Sequence, residues 1–276
     1  MDILPLTGGL GAEIFGADLR DAANFESIQQ AFADYSVLVI RDQGISPDDH
    51  LAFARRFGEI NVNRFFSALP SHPEIAVVFK DVDQTEAVGE GWHTDHSYDQ
   101  MPALGSILHA IEMPTVGGDT LFVSMSMAFD ALSPAMQTFV KSLSAWHSSR
   151  HVFGVDTASS EAAKTGRLSN QDAATQDALH PLVIRHPLSG KSCLYVNPVF
   201  TTHIDGLATS ESDALLQMLY THIQQPEFQC RVRWKAGDVT LWDNRATWHK
   251  AINDYHGQRR LMHRVTVEGC ALSAAG

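Results

Sequence analysis

The sequence predicts a mostly β protein with flanking helices, an α+β fold around a jelly-roll core. After residue 100 the chain becomes a series of short, strand-like apolar runs, and only two helical patterns interrupt them. Gly and Pro turns separate these runs, which is typical of an antiparallel sandwich or barrel with helices packed outside it. We expect residues 1–276 to form a single domain.

The first part of the chain predicts alternating helices and strands. Residues 24–34, NFESIQQAFAD, have helical periodicity, and SVLVI at 36–40 has the composition of a buried strand. The next helix has a clear start, because Ser46 is a good N-cap, Pro47 suits the first helical position and two aspartates follow in the first turn. Gly58, after HLAFARRF, is expected to end it.

The later part of the chain supplies the strands of the core. Two helices are predicted among them, one beginning at Ser133 and one near Ser210. Residues 154–180 are poor in large apolar side chains and predict a long, lid-like surface excursion. The predicted strands are GSILHAIEM, DTLFVSM, LVIRH, SCLYVN, QCRVRW, VTLWD and RRLMHRVTVEG.

Composition and charge exclude several classes of function. The chain of 276 residues is 44% hydrophobic, which is enough for a packed core, and its net charge of −12 argues against nucleic-acid binding. No basic N-terminal region and no run of about 18 apolar residues is present, so we expect no membrane span and a cytoplasmic location. Cys193, Cys230 and Cys270 are widely spaced and are interpreted as free, buried or half-buried thiols in a reducing compartment.

The segment WHTDHSYD predicts a metal site. In an extended segment successive side chains alternate between faces, so His93 and Asp95 point to one side while Thr94 and His96 point to the other. An H-x-D pair can give two ligands to one ion and needs a third from elsewhere. His249 is the candidate, because it lies in a polar turn between two predicted strands.

Most of the other histidines are interpreted as ordinary residues. The chain has 14 of them, and a single histidine is more often a surface or hydrogen-bonded core residue than a ligand. The residues interpreted in this way are His109, His147, His180 and His222. His96 and Asp99 are interpreted as groups that support the site or lie on the surface, because neither shares the face of His93.

The last predicted strand carries two arginines on one face. Arg260 and Arg264 alternate with apolar residues of the opposite face, such as Leu261 and Val265. Buried arginines carry a large desolvation cost unless anions meet them, so an inward orientation predicts bound anions. A solvated face with two arginines remains the alternative.

An H-x-D pair, a distant histidine and an arginine eleven residues further on form the pattern of a two-histidine-one-carboxylate facial triad. Three protein ligands on an octahedral iron leave three positions open. Two of them suit the 2-keto and C1-carboxylate oxygens of 2-oxoglutarate, and the third suits O2. The arginine can then bind the far carboxylate of the cosubstrate in a bidentate pair.

Motifs along nearly the whole chain carry a family resemblance. They are LTGGLGAEIFGADL, FARRFGEI, WHTDHSY, MPTVGGDTLFVSM, HPLVIRHPLSGKSCLYVN, FTTHIDGL, RVRWKAGDVTLWDNRATWH and RRLMHRVTVEG. In this order they resemble the Fe(II)/2-oxoglutarate-dependent dioxygenases of the taurine dioxygenase and 2,4-dichlorophenoxyacetate dioxygenase (TauD/TfdA) family. The fold that this resemblance implies is a double-stranded β-helix, a variant of the jelly roll.

The resemblance also implies residue roles. His93, Asp95 and His249 would be the iron ligands, Thr120 and Arg260 would bind the far carboxylate of 2-oxoglutarate, and Arg264 would bind the acidic group of the substrate. The implied reaction uses O2, converts 2-oxoglutarate to succinate and CO2, and hydroxylates a small organic anion. Hydroxylation next to a heteroatom leads to cleavage. Family members are commonly dimers or tetramers, so a homo-oligomer is expected.

The substrate class that the resemblance favours is aryloxyalkanoate-like. Taurine enzymes carry Asp and Asn before the H-x-D motif to hold the substrate amine, where this chain has Gly89 and Gly91. AWHSSRHVFG and CRVRWKAGDVTLWDN look more like the aryloxyalkanoate branch. Phe65, Phe66 and Phe79 could wall an apolar pocket or could be core aromatics. Sulfonates and alkyl sulfates remain alternatives.

Three hypotheses from other classes compete with the oxygenase. A hydrolase could hold Zn(II) in the same three ligands, but it would not need the anion grip of Thr120 and Arg260. A non-catalytic jelly-roll protein could bind a small acid. Arg260 and Arg264 could instead form an oligomer interface, and would then lie in a subunit contact rather than in an inward cavity.

Overall fold

The computed structural model describes residues 1–157 and 160–276. Its β-strands within these ranges are β1 (Asp2–Pro5), β2 (Ala12–Phe15), β3 (Val37–Ile40), β4 (Ile60–Asn61), β5 (Ala68–Leu69), β6 (His72–Lys80), β7 (Gly105–Glu112), β8 (Thr120–Ser124), β9 (Ser144–Ser148), β10 (Asp177–Pro181), β11 (Val183–Arg185), β12 (Ser192–Leu194), β13 (Thr201–Ile204), β14 (Gln229–Val232), β15 (Val239–Asp243), β16 (Thr247–Ala251) and β17 (Arg260–Val267). The α-helices are α1 (Phe25–Tyr35), α2 (Pro47–Arg55), α3 (Met125–Asp130), α4 (Pro134–Lys141), α5 (Arg150–Phe153), α6 (Glu161–Lys164) and α7 (Thr209–Ile223). The prediction of a sheet-rich fold with helices is confirmed.

A large and a small sheet define the architecture. The large sheet has nine strands in the order β1-β2-β3-β15-β7-β17-β6-β5, with β4 also paired to β17. The small sheet has the order β14-β8-β16. Their strand pairs are antiparallel except for β2 with β3, which run parallel. The last three strands of the chain therefore alternate between the two sheets. Strands β15 and β17 belong to the large sheet, and β16, which lies between them in the sequence, belongs to the small sheet.

The two sheets face each other across an apolar core. Phe122 of the small sheet packs against Trp242 of the large sheet, with ring centroids 5.6 Å apart. Val39, Leu108 and Met262 of the large sheet belong to the same buried cluster. Residues that alternate toward this face from β7, β15, β16 and β17 therefore meet in one interior region, which is where the candidate site lies.

The opposite face of the large sheet is covered by α1 and α2. Phe32 and Phe53 from these helices pack with Ile107 and Val265 of the sheet. The start of α2 is as predicted, because the Ser46 side chain accepts a hydrogen bond from the Asp49 N–H and the Asp49 carboxylate accepts one from Ser46 in return.

The sequence missed some elements and misplaced others. The prediction that Gly58 ends α2 is wrong, since the helix already ends at Arg55. Helix α3 was missed because it has six residues and begins directly after β8, so it offers no helical period of its own. Strand β10 takes up the end of the predicted excursion, because Ala178 and His180 turn inward and pair with β9.

The three cysteines are free, as predicted, but the expectation that all three are buried or half-buried is wrong for Cys270. Cys193 and Cys230 are buried and Cys270 is exposed. Burial raises the pKa of the Cys193 and Cys230 thiols to about 12, so both stay protonated at neutral pH. Of the helices in the ranges described above, none combines the length and apolar character needed to cross a membrane.

His50 on α2 predicts a loss of stability in mild acid. Burial, followed by the neighbouring charge of His109, lowers the pKa of His50 from 6.5 to about 3. In the unfolded chain His50 is therefore protonated below pH 6.5, whereas in the folded chain it stays neutral down to about pH 3. We expect His50 to contribute a loss of about 1.4 kcal/mol in the free energy of unfolding for each pH unit below 6.5.

Urea unfolding of the wild type and of His50→Gln between pH 7.5 and pH 5 measures this loss. The Nε2–H of His50 donates to the Ile107 carbonyl, and the Gln amide retains a donor for it. The variant is expected to show a shallower pH dependence. Equal slopes for the two proteins would contradict the assignment.

Candidate active site

His93, Asp95 and His249 come together as predicted. One ligand atom from each lies within 4.8 Å of the others. The Nε2 atoms of His93 and His249 lie 3.7 and 3.8 Å from the carboxylate oxygens of Asp95, and the two imidazole centroids are 4.1 Å apart. Two nitrogen ligands and one carboxylate on one side of a possible ion position match the donor set of a facial triad. The three side chains can therefore hold a metal ion.

Backbone pairing brings these distant segments together. The His93 N–H donates to the His249 carbonyl at 3.1 Å, and the His249 N–H donates to the His93 carbonyl at 2.7 Å. The Thr94 hydroxyl points to the other side and donates to the Asn244 carbonyl. The predicted alternation therefore applies from residue 93 to residue 95. It ends at His96, whose φ of +60° turns the chain out of the extended conformation.

Both imidazoles direct Nε2 toward the Asp95 carboxylate. The Nδ1–H of His93 donates to the Gly91 carbonyl at 2.8 Å, which leaves the Nε2 lone pair of that ring available. His249 packs against Trp242 and Phe122 at centroid distances of 4.8 and 6.0 Å. Its burial, followed by the charge of His93, holds the pKa of His249 well below its usual range, so this ring is neutral.

Asp95 is kept ionised by its surroundings. Burial alone would raise the pKa of Asp95, but the electrostatic influence of Arg264, followed by that of the two nearby histidines, outweighs it and lowers that pKa below its usual range. The guanidinium of Arg264 lies 3.1 Å from Oδ2 of Asp95, and the Ser106 hydroxyl donates to the same oxygen at 3.3 Å. A buried, ionised carboxylate beside two imidazole nitrogens suits a divalent cation.

Arg260 and Thr120 form a second polar group in the same region. Arg260 is buried, its Nε–H donates to the Gly118 carbonyl at 3.2 Å, and its guanidinium lies 5.7 Å from the Trp234 ring centroid. No acidic side chain in the described ranges lies within ion-pairing distance of it. The Thr120 hydroxyl accepts a hydrogen bond from Trp234 at 3.0 Å, so its own hydrogen remains available for an anion.

The glycine before Asp119 fixes the position of Arg260. Gly118 has a φ of +72°, and a Cβ there would lie 3.0 Å from the Pro114 ring and 3.4 Å from the Arg260 side chain. Its N–H donates to the Asp254 carboxylate at 2.8 Å, while its carbonyl accepts from Arg260. The GGDT motif thus has a physical reason, because the positive φ and the close approach to Pro114 both favour glycine at this position.

One cavity of about 260 Å³ is lined by all six residues to which the resemblance assigns a role in binding the metal, 2-oxoglutarate or the substrate. These are His93, Asp95, Thr120, His249, Arg260 and Arg264. Arg264 also lies 5.5 Å from the ring centroid of Phe66. The hypothesis that the two arginines form an oligomer interface is therefore wrong, because both are buried and both face the cavity.

The predicted apolar wall is correct only in part. Phe66 lines the cavity, but Phe65 lies behind it and stacks on Phe153 with centroids 4.3 Å apart. Phe79 does not line the cavity. The wall residues that the sequence did not reveal are Val78, Leu108, Val152, Phe153, Leu168, Val199 and Phe200. For Val152 and Phe153 the sequence did carry a signal, because both lie in the stretch AWHSSRHVFG, which resembles the aryloxyalkanoate branch.

Part of the predicted excursion covers this cavity. Leu168 lines it and forms an isolated β-bridge with Phe66. The buried Arg167 donates to the Glu86 carbonyl at 2.6 Å, and the Glu161 carboxylate accepts from the Thr85 hydroxyl at 2.9 Å. Residues 161–168 are thereby attached to the loop that precedes the H-x-D motif.

The remaining histidines singled out in the sequence lie outside the cavity. His96 is buried and its Nδ1 lies 3.0 Å from Asp99, whose carboxylate also accepts from Arg64. These two residues stabilise the turn that follows Asp95 and do not reach the ligand group. The histidines that were interpreted as ordinary residues neither line the cavity nor belong to the ligand group. They are His109, His147, His180 and His222.

The fold and the site define a class of protein, a sheet-rich metalloenzyme with a two-histidine-one-carboxylate centre. Residues 2–266 match the family described as "Taurine catabolism dioxygenase TauD, TfdA family". The chain belongs to this family. Its enzymes are dioxygenases that use Fe(II), alpha-ketoglutarate (2-oxoglutarate) and O2, and neither a zinc hydrolase nor a non-catalytic binding protein is needed to explain the site.

Relatives and solved structures agree with this family. The alpha-ketoglutarate-dependent sulfonate dioxygenase of Saccharomyces cerevisiae is 33% identical over 92% of this chain, which spans 63% of that protein's length. The alkylsulfatase of Acinetobacter baylyi is 32% identical, over 98% of this chain and 85% of its own. The 2,4-dichlorophenoxyacetate dioxygenase of Cupriavidus pinatubonensis is 35% identical, over 95% and 96%. A crystal structure of a taurine dioxygenase from Burkholderia xenovorans has a TM-score of 0.83 and 31% identity, covering 99% of this chain and 92% of its own.

Proposed function

We propose that this chain is an Fe(II)- and 2-oxoglutarate-dependent dioxygenase that hydroxylates a small organic anion next to a heteroatom, so that the product cleaves. The favoured substrate is aryloxyalkanoate-like. The observation that carries the proposal is the pair of buried arginines on β17, four residues apart, which line one cavity together with the three metal-binding side chains. One arginine is available for each of two anions.

Each residue has a defined task in this proposal. His93, Asp95 and His249 hold iron, which supplies the site where 2-oxoglutarate and O2 react. Arg260 neutralises the far carboxylate of 2-oxoglutarate, and Thr120 donates its hydroxyl hydrogen to the same group. The packing of Arg260 against Gly118 keeps the guanidinium in place before the cosubstrate arrives.

Arg264 and the apolar wall bind the substrate. The guanidinium of Arg264 lies beside Asp95 and over Phe66, so an acid bound to it sits next to the metal position. Phe153, Phe200 and Val199 line the same cavity and can pack against an apolar body. A substrate with an acid group at one end and an aromatic or alkyl body at the other fits both features.

The same proposal extends to the fold and its cover. The two facing sheets form a double-stranded β-helix, a jelly-roll variant, within a single domain of residues 1–276. Of the excursion at 154–180, residues 158 and 159 lie outside the described ranges and residues 177–180 belong to β10. The segment 161–168 acts as a lid, in which Leu168 closes the cavity against Phe66. Closure excludes water from the reacting groups, which strengthens the ion pairs made by the two arginines.

A second substrate class has its own support. Relatives at similar identity are named for sulfonates and alkyl sulfates as well as for an aryloxyalkanoate. A guanidinium binds a sulfonate or a sulfate as readily as a carboxylate. The sulfonate and alkyl sulfate readings are therefore the alternatives within the same reaction class.

Substrate-dependent succinate formation tests the proposal. The metal-loaded protein is supplied with 2-oxoglutarate, O2 and one of three acids that share a phenyl-bearing body, a phenoxyacetate, a sulfonate and a sulfate ester. We expect the highest kcat/KM for the phenoxyacetate. A higher kcat/KM for the sulfonate or the sulfate ester would transfer the assignment to that class, and an absence of succinate with every acid would contradict the proposal.

A further inference from the structure

Lys80, the last residue of β6, is a buried cation without a role in the proposed reaction. Its side chain is 1% exposed, and its ammonium nitrogen has no hydrogen-bond partner in the described part of the chain. The ammonium lies 4.5 Å from the ring centroid of Tyr255, which is itself buried. A buried charge that lacks a partner carries a large desolvation cost, which is offset when a ligand of opposite charge binds beside it.

The strand register places Lys80 beside Arg260. Lys80 pairs directly with Arg260 across the antiparallel strands β6 and β17. Side chains directly opposite each other in such a pair project to the same face of the sheet, with Cβ atoms roughly 5 Å apart. The same register sets Val78 opposite Met262, and Val78 lines the cavity. Lys80 therefore projects from the cavity-facing side of the large sheet.

No acid forms an ion pair with either of these cations in the ranges that the structure describes, and Asp119, which acts on Arg260 electrostatically, is itself paired with Arg231. The charged groups that influence the phenol of Tyr255 include Arg260, Glu90 and Asp254. Glu90 accepts hydrogen bonds from Ala87 and Asn253. Asp254 accepts one from Gly118 and lies 3.8 Å from Arg231. Both acids therefore have other partners, and neither forms an ion pair with Lys80 or Arg260.

We propose that Lys80 is a second cation at the far-carboxylate end of the cosubstrate site, where it acts together with Arg260. This inference rests on the proposed function. Two positive charges on adjacent strands favour a ligand whose far end is a carboxylate and disfavour a 2-oxo acid whose far end is apolar. Lys80 thus determines the preference for 2-oxoglutarate over a monocarboxylic 2-oxo acid, and Tyr255 holds its side chain at that end of the site.

Two ligands of equal chain length separate this role from a structural one. 2-Oxoglutarate and 2-oxopentanoate share the metal-binding end and five carbons, but only 2-oxoglutarate has the far carboxylate. Anaerobic calorimetry with the Fe(II)-loaded protein measures the Kd of each, without any turnover. We expect Lys80→Met to weaken 2-oxoglutarate about tenfold or more and to leave 2-oxopentanoate unchanged, because the lost interaction is a charge-assisted one.

Two further variants make the result decisive. Lys80→Gln, which keeps a polar end without the charge, should give the same selective loss. Lys191→Met removes an equal charge from an exposed position and should change neither Kd. An unchanged Kd for 2-oxoglutarate in both Lys80 variants, or an equal loss for both ligands, would overturn the inference. Failure of the wild type to bind 2-oxoglutarate at all would overturn the proposed function instead.

Discussion

Replacing His249 with alanine is expected to abolish tight binding of iron. The variant loses one of the three side chains that surround the metal position and leaves two ligands, too few to fix a facial geometry. The affinity for Fe(II) should fall by more than the roughly 10- to 100-fold that follows when only an orienting partner of a ligand is lost. Anaerobic titration with Fe(II) measures this affinity, and succinate formation should be lost with it.

His203→Ala is the matched control for this experiment. His203 is an exposed histidine on β13, outside the cavity, so its loss should leave the affinity for Fe(II) unchanged. Wild-type affinity in His249→Ala would mean that the metal lies elsewhere. Equal losses in both variants would point to a general effect on the fold.

Replacing Arg264 with methionine should affect the substrate and the metal together. The guanidinium lies 3.1 Å from Oδ2 of Asp95 and faces the cavity, so it orients a metal ligand and also offers a charge to the substrate acid. Removing one partner of a buried charge pair with a bound ligand costs about 2–5 kcal/mol, which corresponds to roughly 30-fold or more in kcat/KM. The affinity for Fe(II) should fall as well, because Asp95 loses its counterion.

Steady-state kinetics with the best acid, together with Fe(II) titration, test this second prediction. Arg233→Met is the control, since Arg233 is exposed and lies outside the cavity. A loss of kcat/KM with no change in the affinity for Fe(II) would assign Arg264 to the substrate alone. Unchanged kcat/KM would contradict its role in substrate binding.

The pairing of His93 with Asp95 could be predicted from sequence because it depends on neighbouring residues only. His93 and Asp95 are separated by one residue, so the alternation of an extended chain is enough to place them on one side. Arg260 and Arg264 follow the same rule on β17. The N-cap at Ser46 was equally accessible, since a helix start depends on a few adjacent residues.

The cavity wall depended on pairings that no local rule reveals. Phe153 precedes the predicted excursion, Leu168 lies within it and Phe200 follows it. Only the folded chain brings these three side chains to one cavity. Lys80 escaped notice for the same reason, because its position opposite Arg260 is a matter of strand register.

The most direct test of the account is the visible spectrum of the anaerobic complex. Metal-free protein is mixed with Fe(II) and 2-oxoglutarate, and the experiment is repeated with Arg260→Ala. We predict a weak metal-to-ligand charge-transfer band in the green region for the wild type, and a faded band in the variant, whose far-carboxylate partner is missing. The absence of a band in wild-type protein with iron demonstrably bound would contradict the assignment of this chain as a 2-oxoglutarate-dependent dioxygenase.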